Sequence, residues 1–157
     1  IGLGIPAEPL FRSDSVAIPV IVRWPKNVKA GQTSDVLMSQ IDFMASFGNL
    51  IGATFPKGSA PDSRNHLGNL LGTDTTHRPW VAEMSSNHVL SIRTKEWKYI
   101  EPNDGSKMIK WGPKIETGND PLPQLYRISD NLYEQDNVAD THPTVVYELQ
   151  NILRRVR

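Results

Sequence analysis

Cysteine is absent from the 157 residues. Disulfides, thiolate metal sites and cysteine nucleophiles are therefore excluded together, and redox chemistry gives no reading of the compartment. Charge of one sign is not in excess either. Seventeen Lys and Arg balance seventeen Asp and Glu, which argues against a general nucleic-acid or anionic-membrane binder, since either needs a basic surplus. Long apolar runs are missing too, and none approaches the ~20 residues that span a bilayer. The opening Ile1–Glu8 has no basic region and no long apolar stretch, so it does not read as a signal peptide. It starts without Met, and a processed or excised piece of a longer protein is expected. What remains, 38% hydrophobic and 22% charged, is the composition of a folded soluble protein.

Residues 1–15 lack periodicity and read as irregular. The β-branched run from Val16 to Trp24, closed by Pro25, reads as a strand buried on both faces, as in a parallel sheet. Pro19 cannot donate to a ladder, so pairing is expected to start after it. Leu37, Ile41, Met44, Phe47 and Ile51 then recur at helical spacing. Ser39 and Asp42 have the spacing of a capping box, and Gly52 is a stop signal. Strand plus helix make half of an α/β crossover. Residues 54–65 carry loop chemistry, and His66–Leu71 reads as a short helix ended by Gly72.

The second half predicts antiparallel strands at Trp80–Met84, His88–Arg93, Lys95–Ile100 and Leu125–Ile128. Residues 102–124, with four prolines and three glycines, are an excursion between the last two. A terminal helix starts at Pro143, with Val145, Leu149, Ile152 and Val156 as its apolar stripe and Arg154, Arg155 and Arg157 at its C-terminal end.

No complete catalytic set is present. His66, His77, His88 and His142 match no metal-binding spacing and read as loop or capping residues. No Gly-rich phosphate loop follows a strand, and no G-x-S-x-G elbow exists. Asp35, Asp42, Asp74 and Glu83 lack catalytic partners and read as solvated or capping groups. Trp24, Trp80, Trp97, Tyr99 and Tyr126 suit a core or a sheet–helix seam. Trp111, in a lysine-bearing polar loop, is the one candidate for stacking on a carbohydrate.

Several segments, in order, resemble the C-terminal portion of type I (arylsulfatase-like) sulfatases. Ile18-Pro-Val-Ile-Val-Arg-Trp-Pro25, Gly31-Gln-Thr-Ser-Asp35 and Ser39-Gln-Ile-Asp-Phe-Met44 are similar to that family's "VPFIVRWPG…AG…SD" strand and the "S-x-I-D" helix after it. Pro61-Asp-Ser-Arg-Asn65 with Leu70-Leu-Gly72 resembles its "P-D-G/S…LL-G" segment. Leu90 to Ile100 resembles its "A-I-R-x-G-x-W-K-Y-I" strand pair. Pro123–Asp130 with Glu134–Ala139 resembles its "P-E/Q-LY-N-L…D-P-x-E-x-x-N-L-A" ending. The order holds from about residue 18 to the end.

The resemblance implies an α/β edge segment of strand plus helix, followed by an α+β subdomain in which a four-stranded antiparallel sheet packs on a C-terminal helix, as in the alkaline-phosphatase-like superfamily. The expected divisions are an irregular segment at 1–15, the end of the sulfatase α/β domain at 16–78, and the subdomain at 79–157. The implied activity is hydrolysis of sulfate esters, on a sulfated carbohydrate or an aryl sulfate, in a periplasmic, secreted or lysosomal setting, without nucleic acid or membrane as partner.

In that family a formylglycine, made from Cys or Ser in C/S-x-P/A-x-R, and a calcium ion carry the chemistry. This chain is expected to hold neither, and its implied partner is the N-terminal catalytic domain of the same enzyme. Ser59-Ala-Pro61 begins the serine version, but its arginine stands at Arg64, one place late and out of the family order. Toward the N-terminus the family has a Lys eleven residues before the proline matching Pro19; here Glu8 stands, with Ala17 where that motif has Arg. No catalytic residue is therefore carried over.

Candidate substrate-binding residues are Asn65 and His66, after the Pro61-Asp-Ser run, and Asn87 and His88, in the loop joining the first two strands. Their amides and imidazoles suit sugar hydroxyls or a sulfate. A non-catalytic module that binds carbohydrate or a protein partner is the alternative.

Overall fold

The computed structural model describes residues 19–85, 88–108, 117–129, 134 and 136–157. The chain divides into two compact units, one spanning Pro19–Val81 and the other centred on Ala82–Arg157.

In the first unit, residues 19–24 form no strand, and Val20, Ile21, Val22 and Trp24 are all exposed. This corrects the expected buried strand for the part of 16–24 that is described; residues 16–18 lie outside the described residues. Apolar β-branched sequence sets the conformation a strand needs but cannot supply its ladder partners, and the described residues offer none here. Helix α1 follows at Asp42–Leu50 and α2 at Leu67–Leu71, the latter ended by left-handed Gly72. Of the capping box, the reach-back half is made: the Ser39 N–H donates to the Asp42 carboxylate at 2.8 Å. The helix itself begins at Asp42, with Ile41 as its N-cap.

The second unit is built on strands β1 (Val81–Met84), β2 (Leu90–Arg93), β3 (Trp97–Ile100) and β4 (Gln124–Arg127) in the order β1-β2-β3-β4. Antiparallel register places Ile92, Tyr99 and Leu125 side by side on one face. Helix α3, Pro143–Val156, packs against β2 and β3. Leu149 and Leu153 are buried, and Gln150 Nε2 donates to Tyr99 Oη at 2.9 Å.

The sheet-facing stripe of α3 differs from the expected one at its end. Leu153 is buried and Val156 is exposed. At 100° per residue, Leu149, Gln150 and Leu153 share a side, and the Gln150–Tyr99 bond shows that this side, slightly rotated from the Val145–Val156 line, meets the sheet. Pro143 occupies the first turn, as its fixed φ favours.

The opposite sheet face is also covered. Val89, Ile100, Tyr126 and Ile128 form a buried cluster there. Lys98, on the same face, is fully buried and ion-paired to Glu134 Oε1 at 2.9 Å.

Candidate functional site

The polar residues of the first unit converge on Asp42. Its Oδ1 accepts from Arg78 Nη1 at 2.5 Å and from the Arg64 N–H at 2.9 Å, and its Oδ2 accepts from the Ser39 N–H at 2.8 Å. Asp42 and Arg78 are both buried. Arg78 spends its remaining donors on backbone, with Nη2 on the Asp62 carbonyl at 3.2 Å and its own N–H on the Leu37 carbonyl at 2.9 Å. A buried carboxylate is tolerated only when paired and hydrogen-bonded in this way. Three chain segments, at 39–42, Arg64 and Arg78, are tied together through the Asp42 side chain.

His66, a candidate from the sequence, is buried beside this pair. Asn69 Nδ2 donates to the Asp74 and Thr76 carbonyls, at 3.0 and 3.2 Å, which turns its Oδ1 to His66 Nδ1 at 2.7 Å. His66 Nδ1 therefore carries a proton. Nε2 lies 3.9 Å from Asp42 Oδ2. Asn65, the neighbouring candidate, is exposed, and its Oδ1 accepts the Leu67 N–H at 3.0 Å, opening α2.

Ser46, His66 and Asp42 thus sit together, yet they are no nucleophilic triad. The Ser46 hydroxyl donates to the Asp42 carbonyl at 2.7 Å and accepts the His66 backbone N–H at 2.8 Å. Neither bond brings the imidazole to the hydroxyl, so nothing activates it.

In the second unit, His88 is exposed at the end of the loop joining β1 to β2 and has φ +63°. Its N–H donates to the Ser85 carbonyl at 2.9 Å, and Ser85 Oγ accepts the Val89 N–H at 3.1 Å. The imidazole is thus presented outward from a braced turn. Asn87 and Trp111 lie outside the described residues. Asn65 and His66 belong to one compact unit and His88 to the other.

The remaining histidines are structural. His77 Nδ1 accepts the Leu37 N–H at 3.1 Å, and the His142 ring lies against Trp97 with centroids 5.1 Å apart. Sequence reasoning passed over two buried ion pairs, Asp42–Arg78 and Lys98–Glu134. Each joins residues thirty-six positions apart, so no local pattern points to them.

There is no cysteine, and among the described residues no group of three His, Cys, Asp or Glu could hold a metal ion. Ser59 is an exposed loop residue. Among the described residues, no helix is long and apolar enough to cross a membrane.

No family model matches the chain. Among curated proteins, an N-acetylgalactosamine-6-O-sulfatase of Bacteroides thetaiotaomicron is 45% identical over 140 residues, which are 89% of this chain and 27% of that protein. An ulvan-active sulfatase of Formosa agariphila is 27% identical over 87% of the chain and 31% of its own length. Arylsulfatase K of Homo sapiens is 25% identical over 90% of the chain and 26% of its own length. The chain therefore spans about a third or less of the relatives it matches.

A solved structure connected with glycosaminoglycan metabolism by Bacteroides thetaiotaomicron superposes on 87% of the chain and 28% of its own, with 44% identity and a TM-score of 0.80. A 2-O glycosaminoglycan sulfatase, 18% identical, shares the fold with a TM-score of 0.54 over 80% of the chain and 26% of its own. In sequence and in fold, this chain corresponds to the C-terminal region of the type I (arylsulfatase-like) sulfatases.

Proposed function

We propose that the chain acts as the C-terminal part of a sulfatase that hydrolyses sulfate esters on a sulfated carbohydrate. The observation that carries this reading is the 45% identity to an N-acetylgalactosamine-6-O-sulfatase over 89% of the chain. The nucleophile, the calcium site and the chemical step belong to the N-terminal catalytic domain of the same polypeptide, this chain's partner. The setting is periplasmic, secreted or lysosomal.

Within that enzyme the chain's own residues bind and orient substrate. His88 presents an imidazole from a turn braced by Ser85, with Asn87 beside it in sequence. Asn65 stands exposed on the segment that the Asp42–Arg78 pair fixes, while His66 is buried beside that pair and would act by holding the segment in place. Amide and imidazole groups donate to sulfate oxygens and exchange hydrogen bonds with sugar hydroxyls. Because binding groups matter most when they are preorganised, Asp42 and Arg78 are positioning residues under this reading.

The size of the natural gene product tests the proposal first. It should be about three times this chain's length, as in the relative of which 140 matched residues are 27%, and its gene should encode C/S-x-P/A-x-R upstream of Ile1. A product of this chain's size alone, without that motif, would favour a non-catalytic carbohydrate- or partner-binding module.

A further inference from the structure

A cleft of about 320 Å³ opens in the second unit between the entry to β4 and the first two turns of α3. Pro123 and Asp140 line one side of it, and Pro143, Val146, Tyr147 and Gln150 line the other. Those helix positions have the spacing of a single stripe, which runs beside the Leu149–Leu153 side that meets the sheet. Both walls are set without a ligand. Asn137 Nδ2 donates to the Pro123 carbonyl at 3.2 Å, and Asn137 Oδ1 accepts the Leu125 and Ala139 N–H groups, each at 3.0 Å. Gln150 is held by its bond to Tyr99.

The lining has a definite chemistry. Tyr147 is 62% exposed although it sits a full turn inside α3, and it shares the cleft with two prolines. These rings are flat, rigid surfaces that lose little freedom when covered. The polar groups are chiefly acceptors: the Asp140 carboxylate, Gln150 Oε1 and the Tyr147 hydroxyl, which can also donate. Among the described residues none of these three atoms or groups has a hydrogen-bond partner. Nor does any described basic side chain line the cleft. Arg154, one turn beyond Gln150, donates to Asn151 Oδ1 at 3.3 Å instead.

These properties select an occupant. A sulfate or carboxylate would face the Asp140 charge with no cation to balance it. A proline-rich peptide would suit the ring walls, but proline brings no N–H for the acceptors, and such peptides span a longer groove. A pyranose offers both halves: a C–H face, which the negative face of an aromatic ring attracts, and an edge of hydroxyl donors. The volume lies at the small end of ligand clefts, enough for one ring. We propose that this cleft binds one unsulfated pyranose residue of a glycan. Such a site goes beyond the sulfatase reading, because it needs neither the nucleophile nor the sulfate; that reading supplies only the reason a glycan is at hand.

The test is saturation-transfer NMR on the 157-residue chain, with N-acetylgalactosamine, galactose, glucose and mannose as probes. At least one sugar should take up saturation, strongest at its ring C–H protons. Tyr147→Ala should weaken its binding at least about tenfold with Tm unchanged. Tyr147→Leu, which keeps an apolar group but no aromatic ring, should do the same. The 6-sulfate of the sugar that binds best should bind at least about tenfold more weakly than the unsulfated form, and Asp140→Asn should narrow that gap. No saturation of any probe, binding unchanged in both Tyr147 variants, or a sulfated sugar held as well as the unsulfated one would overturn the proposal. So would decaproline binding that Tyr147→Ala removes.

Should the isolated chain not fold, the same series is run on the full-length polypeptide. There Tyr147→Ala should cut the saturation transfer at least about twofold, and no change overturns the proposal. Sulfate release is read separately. A polypeptide that hydrolyses sulfate esters but holds no neutral sugar through Tyr147 sinks the cleft alone. One that binds the sugar through Tyr147 yet releases no sulfate supports the cleft and counts against the enzymatic reading.

Discussion

Arg78 Nη1 donates to Asp42 Oδ1 at 2.5 Å across thirty-six residues of sequence, with both side chains buried. Removing either partner leaves the other charged and without its counter-ion in a site closed to water. Asp42→Ala or Arg78→Ala should therefore destabilise the 19–81 unit by about 3–5 kcal/mol. Chemical denaturation of the variants measures this. A loss below about 0.5 kcal/mol, as at an ordinary surface site, would show that the pair does not hold the unit together.

Helix α3 offers a paired comparison. Leu149 is buried against the sheet and Val156 is 41% exposed. Leu149→Ala should cost about 2–5 kcal/mol through lost burial and the cavity left behind. Val156→Ala should cost about 0.5 kcal/mol or less. Equal costs would mean that the helix meets the sheet along the Val145–Val156 line instead.

Alkaline stability should depend on Tyr99. Burial pushes its phenol above the ordinary value of 10.0, and the bond from Gln150 offsets part of that rise. Above pH 10 the unfolded chain loses this proton while the folded chain keeps it, so unfolding releases a proton. The associated stability is complete below pH 10 and falls as pH rises from there through the folded value. Melting temperatures of wild type and Tyr99→Phe should draw closer over that range, and a constant difference would remove Tyr99 as the cause.

Recognition of substrate should show in the β1–β2 loop. In the full-length enzyme, Asn87→Ala with His88→Ala should lower kcat/KM at least about tenfold, roughly 1.4 kcal/mol, with Tm unchanged. Asn65→Ala should act in the same direction. Unchanged kinetics on the natural sulfated sugar would leave the β1–β2 loop a plain hairpin end.

The sheet and its helix were legible in the sequence because period and punctuation agree there. β2 to β4 alternate between two covered faces, Thr94 closes the tight turn before β3, and Pro143 opens α3. Helix α1 was legible as a helix, but not in its orientation. Periodicity marks the apolar stripe of Ile41, Met44 and Phe47, whereas the buried side is chosen by Asp42, whose partner Arg78 stands in an unpatterned loop. Residues 19–24 carry the composition of a strand, and a ladder needs a second strand that composition cannot provide. Among the candidate residues, Asn65 and His66 were singled out by their place after the Pro61-Asp-Ser run. Nothing in the sequence signalled that His66 would be buried beside Asp42, because burial there follows from a contact between distant segments.

Sulfate release decides the functional reading. The full-length polypeptide that carries this sequence should liberate sulfate from N-acetylgalactosamine-6-sulfate or a related sulfated sugar, while the isolated chain should release none above the buffer blank. Turnover by the isolated chain, or a folded full-length protein silent on every sulfated sugar and aryl sulfate offered, would contradict it.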